Sequence, residues 1–114
     1  FPRYNRGAMA TTRAALAGGH AHACGPLAGY DASIAGAIAA APETSRWMAP
    51  FARPRPAFLS EAEWDALRGR ALAAVRDSVY PAYRALLAFY RAEYAPRCRA
   101  VDGVSATPDG AAYY

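Results

Sequence analysis

The strongest pattern of apolar and polar positions begins at Ser60. Ser60 and Glu63 have the spacing of a capping box, in which each side chain satisfies a backbone donor of the other. Glu61, Glu63 and Asp65 add negative charge to the positive start of a helix, and Phe58 or Leu59 is placed to staple onto Trp64. Trp64, Leu67, Ala71, Leu72, Val75 and Val79 then follow a 3.6-residue period. Pro81 interrupts by removing one donor and crowding the preceding turn. The period resumes with Tyr83, Leu87, Tyr90, Tyr94 and Cys98, widened by Leu86 and Phe89. The pattern predicts a helix over 60–98, either one long helix kinked at Pro81 or two helices meeting there. Glu93 and Arg97 are spaced as a helical i,i+4 pair, and Arg97 and Arg99 suit the negative C-terminal end.

Residues 1–41 predict two short helices. The first runs over 4–17, with Met9, Thr12 and Leu16 on one face, and Gly18-Gly19 stops it. The second covers about 28–41, with Ile34 and Ile38 one turn apart and Pro42 at its end. Both are rich in Ala and need a partner surface to be stable. Residues 42–58 form a connector punctuated by Pro42, Pro50, Pro54 and Pro56, yet they carry Trp47, Met48, Phe51 and Phe58. So many large apolar groups predict an ordered strap lying on a helical surface, not a solvated linker. In the last stretch, 99–114, Gly103, Pro108 and Gly110 break helix, while Val104 and the closing tyrosines suit turns or short strands. The fold class is mainly all-α.

Composition changes this picture in three ways. Apolar residues make up 54% of the 114, but many are Ala, so the core is expected to be thin. The net charge of +4 comes wholly from Arg and is uneven, with six Arg against Asp31 and Glu43 in residues 1–58 and seven Arg against seven acids beyond. Arg suits phosphate and carboxylate partners, but here it is scattered and reads as ordinary solvated surface, which argues against nucleic-acid binding. Cys24 and Cys98 lie far apart in a chain without a visible secretory segment, and read as buried free thiols. No apolar run approaches the roughly 20 residues of a membrane span. The chain opens on Phe1 and closes on Tyr113-Tyr114, which reads as an internal piece of a larger protein. Export is therefore left open.

Candidate chemistry is sparse. In His20-Ala21-His22-Ala23-Cys24, alternate side chains of an extended segment share a face, so His20, His22 and Cys24 offer a weak zinc-ligand set. The rival reading is an exposed or capping loop. Cys98 is flanked by Arg97 and Arg99, which favour a thiolate, but no His stands near it in sequence. The tyrosines at 83, 90 and 94 read as core residues whose hydroxyls reach polar partners. There is no phosphate-binding Gly loop, nucleophile elbow or zinc-binding His-Glu helix.

Several segments resemble a known family. Val79-Tyr80-Pro81-Ala82-Tyr83-Arg84, Leu87-x-Phe89, Glu93-Tyr94-x-Pro96-x-x-Arg99 and Gly103-Val104-Ser105-x-x-Pro108-Asp109-Gly110-x-x-Tyr113-Tyr114 are similar to domain of unknown function 885, a bacterial family. Gly7, the stretch from Gly18 to Pro26 and Ser45-Arg46-Trp47-Met48-x-Pro50-Phe51 are compatible with it. The chain departs from the pattern at Asp109, where the family usually has Gly, and at Ser105-Ala106-Thr107, which is usually apolar. The resemblance implies a large helical protein with a zinc-peptidase-like architecture, whose zinc motif lies on a later helix beyond Tyr114. On this reading residues 1–114 are scaffold and hold no catalytic residue or metal ligand. Gly110, Tyr113 and Tyr114 become a candidate wall of a peptide-substrate cleft, although a strand packed on the core is the plainer reading of the two tyrosines. The expected partner is the remainder of the polypeptide, covering the face of Tyr83, Tyr90 and Tyr94. The alternative is a self-contained basic helical interaction module without catalytic activity.

Overall fold

A computed structural model describes residues 1–113. The chain is mainly all-α, with helices α1 (Pro2–Ala17), α2 (Tyr30–Gly36), α3 (Glu61–Ala74), α4 (Tyr80–Phe89) and α5 (Gly110–Tyr113), and no strand among the described residues. Between α3 and α4 lies a π-helical turn, Val75–Val79, and after α4 a second one, Tyr90–Tyr94, then a 3-10 turn, Ala95–Arg97. The backbone is thus one helical path from Glu61 to Arg97, about 55 Å long at the usual rise per residue.

The path begins as its sequence dictates. Ser60 Oγ accepts from the Glu63 N–H, and the Glu63 carboxylate accepts from the Ser60 N–H at 2.8 Å. The expected staple is different, however. Phe58 is 85% exposed, and the ring against Trp64 is that of Phe51, with centroids 5.0 Å apart. The Pro-rich turns of residues 53–59 carry Phe58 away from the helix, while the 3-10 segment Arg46–Ala52 lies along it.

Both prolines of the long path follow a π turn at the same spacing. The Tyr80 N–H reaches back five residues to the Val75 carbonyl immediately before Pro81, and the Ala95 N–H reaches the Tyr90 carbonyl immediately before Pro96. A proline crowds the carbonyl four residues earlier and donates nothing to it. Widening the turn just ahead of the ring relieves that crowding without ending the helix. Pro81 then occupies the first turn of α4, where a missing donor is tolerated.

Two small cores flank the first π turn. Met48, Val75 and Tyr80 form one, joined by half-buried Trp47, Phe51, Ala71 and Leu72. The other gathers Met9 and Leu16 of α1, Ile34 of α2, Ala21, and Phe89, Tyr90 and Tyr94. The face of Tyr90 and Tyr94 is therefore closed by α1, α2 and their connection, and both tyrosines are buried within this chain. Tyr83 is half-buried between the rings of Phe1 and Trp47. No large side chain is wholly buried among the described residues, and α3 has no buried residue at all. The outline is 62 × 23 × 22 Å. Its radius of gyration of 19.4 Å exceeds the roughly 13 Å of a globular chain of this length.

Three further expectations are corrected. The second helix spans only Tyr30–Gly36, bounded by Gly29 in the left-handed conformation and by Gly36. The tail is not a strand pair: Val104–Ala106 is a 3-10 turn and Gly110–Tyr113 a helical one. Tyr114 lies outside the described residues. Glu93 does not bridge to Arg97. Its carboxylate takes a two-pronged bond from Arg13 of α1 at 2.5 and 2.6 Å, a better match for a planar guanidinium.

Candidate functional site

The end of α1 sets the site. Gly19 takes a left-handed conformation, its N–H bonds to the Leu16 carbonyl, and the His20 N–H bonds to the Ala15 carbonyl at 2.9 Å. This is the paired capping that a glycine just past a helix end makes possible. It turns the chain so that His20 and His22 line one cleft of about 290 Å³, with Thr12 of α1 and Tyr30, Tyr90 and Tyr94 around it.

At its floor His22 meets Tyr94. Nδ1 of His22 and the Tyr94 hydroxyl share a hydrogen bond, and the His22 N–H also donates to that hydroxyl at 3.4 Å. The hydroxyl can accept from the main chain and still hydrogen-bond Nδ1, so this contact does not use Nε2. Tyr94 is buried and closes the second π turn, an element that recurs at functional sites. Tyr90, on the same turn, donates to the Leu27 carbonyl at 3.1 Å. Burial, then the charge of nearby Asp31, pushes its hydroxyl above the ordinary tyrosine range. The tyrosine stripe is thus both core and cleft wall.

Ion pairs brace the rim. Arg13 binds Glu93, and Arg91 binds Asp31 of α2 at 2.9 Å. Each carboxyl is held below its usual range, chiefly by the guanidinium hydrogen bond.

The loop that carries His22 is joined to the segment after the long helix. The Arg99 N–H donates to the His22 carbonyl and the Cys24 N–H to the Arg99 carbonyl, both at 2.9 Å, making a single parallel bridge between Ala23 and Arg99. The Arg99 guanidinium gathers three carbonyls, those of Ala21, Val101 and Gly103, at 2.7, 3.1 and 2.8 Å. Sequence reasoning placed Arg99 at a helix end, beside the Cys98 sulfur and in the family motif, but did not show this gathering of carbonyls. Beside the bridge, Cys24 and Cys98 form a disulfide with their Cα atoms 5.0 Å apart, so the expectation of free thiols is wrong. Residues distant in sequence are brought together because the helical path returns Cys98 to the loop after α1.

The disulfide also changes the zinc-ligand reading. His20 and His22 do share the cleft, but Cys24 has no thiolate to offer, and no group of three His, Cys, Asp or Glu is arranged for a metal among the described residues. Of the tail residues, Gly110 is buried where a side chain would collide with the Val104 carbonyl and come within 2.7 Å of the Thr107 hydroxyl. It therefore shapes the turn. Tyr113 is 83% exposed. Pro108 packs toward Gly19, where an added Cβ would lie 3.0 Å from its ring, so the tail rests on the capped end of α1. Asn5, which the pattern passes over as polar, is buried on the face of Met9 and donates to the Ala82 carbonyl at 2.7 Å. Its position four residues before Met9 was the available signal.

No helix among the described residues is long and apolar enough to cross a membrane. No curated protein and no solved structure matches the chain. One family model does, over residues 1–114, and it is described as bacterial protein of unknown function, DUF885. The helical path with its two prolines, the Arg99 hub and the turn closed by Gly110 give physical roles to the motifs read in the sequence, and the chain belongs to the DUF885 family.

Proposed function

We propose that residues 1–114 are the scaffold portion of a zinc-dependent peptidase or a related hydrolase, and that the zinc is held by residues outside this chain. The observation that carries the reading is the motif match, above all the closing Gly103-to-Tyr113 segment, within a chain that belongs to the family along its whole length. The residues described here do not suit zinc, since Cys24 is bonded to Cys98 and no three ligands converge. Their part is to shape and position. Gly110 shapes the turn that presents Tyr113 toward a peptide substrate, Tyr114 being assigned to the same role from outside the described residues, while the His22–Tyr94 cleft, with its aromatic walls and the Nε2 of His22, receives a polar group beside an apolar one.

The full-length protein should hydrolyse peptides, lose that activity to a chelator and regain it with zinc. Residues 1–114 alone should bind no zinc. Hydrolysis indifferent to chelation, or zinc bound by the segment through His20 and His22, would overturn the reading.

A further inference from the structure

The helical side of the cleft belongs to an apolar core, but the loop and the tail beside it bury little. The loop bearing His20 and His22 buries only Ala21 and Ala23, and most of the tail after Arg99 is exposed. Besides Ala21 in the core and the His22–Tyr94 pair itself, loop and tail are tied to the long helix by the short main-chain bridge, the Arg99 guanidinium and the Cys24–Cys98 bond, which closes a sequence separation of 74. Both cysteines of the chain are consumed in that bond. Cys24 is exposed and Cys98 half-buried, so the bond is open to reducing agents in solution. A solvent-facing disulfide of this kind persists in oxidising surroundings and is lost where thiol reductants prevail.

We propose that the protein matures in an oxidising compartment, and that the Cys24–Cys98 disulfide formed there positions His22 against Tyr94. In that step the two thiols lose two protons and two electrons as the S–S bond forms. A disulfide-donor protein accepts them, and its own S–S bond is cleaved to two thiols. His22 lies two residues before Cys24, and Tyr94 four before Cys98, so the cross-link, with the bridge beside it, holds the two segments that carry the pair next to each other. The inference stands on the geometry of the cleft and not on the hydrolase reading, and its test needs no turnover.

The natural protein is taken from its bacterium under acid quench, denatured, and treated with a thiol-specific mass tag before and after reduction. No tag on Cys24 or Cys98 before reduction and one on each afterwards is the expected result. Tags on both without reduction would overturn the compartment. The oxidised protein, labelled uniformly with nitrogen-15 and at the histidine rings, is then followed by NMR. Reduction should move the His22 ring signals to where Tyr94→Phe places them, and speed amide exchange at Arg99 by about tenfold or more, while helix signals elsewhere stay in place. Unmoved His22 signals would overturn the positioning role. So would a collapse of the whole spectrum to unfolded positions, since the bond would then hold the entire chain and not the cleft.

Discussion

Asp109 has a positive φ of 57°, the one such value outside glycine among the described residues. An L side chain there is strained by roughly 1–2 kcal/mol, less for Asp than for most. The turn survives because Asp tolerates this conformation. Asp109→Ala should therefore be less stable than Asp109→Gly by about 1 kcal/mol in urea unfolding, with the natural chain between them or near the glycine variant. Equal stability of the two variants would show the conformation is not held. Arg99 gives a second test at this scale. Arg99→Ala removes three charge-assisted bonds and should cost about 2 kcal/mol, and Arg99→Lys should recover little, because a point charge cannot serve three carbonyls at fixed angles. Full rescue by Lys would reduce Arg99 to a local positive charge.

At the level of elements, α3 is the least anchored. Gly69 sits within it with nothing near the position of a Cβ. Gly69→Ala should raise stability by about 0.5–1 kcal/mol through helix preference alone, read as a shift of the urea midpoint at unchanged slope. A loss of stability would mean that this surface is packed. The start of α3 was legible because Ser60 and Glu63 interact locally, and so was the stop at Gly18-Gly19. The π turns were not. They leave the apolar period nearly intact on either side of Pro81, and their trace in the sequence is only a proline after a run that never loses its stripe. The cleft was half legible. His20 and His22 stood out as a pair, but Tyr94, Arg99 and Cys98 join them through sequence separations of 72 to 78, which no local pattern encodes.

For the molecule as a whole, the arrangement is a long rod with two small cores flanking the first π turn and no buried residue on α3. Its accessible surface of 7669 Å² exceeds the roughly 6,000 Å² of a globular chain of this mass. Charge ties α1 and α2 to the rod through Arg13–Glu93 and Arg91–Asp31. Both carboxyls are lowered in the folded chain, so their support is present above the ordinary carboxylate range and is lost as pH falls through the folded values. Melting temperature should therefore fall between about pH 5 and 3, less steeply in Glu93→Gln, and salt should flatten the difference. Parallel pH profiles for the two proteins would remove the ion pair from the account.

The disulfide draws a covalent ring through residues 24 to 98, and the most exposed large apolar side chain in it, Phe58, sits on the Pro-rich turns before α3. Trypsin has little purchase there, because Arg53 and Arg55 are each followed by proline. Chymotrypsin does, after Phe58. A single cut at that bond would leave the two halves as one band on a gel without reductant and release them as two once reductant is added, so the molecule can be severed in its main chain and still remain one piece.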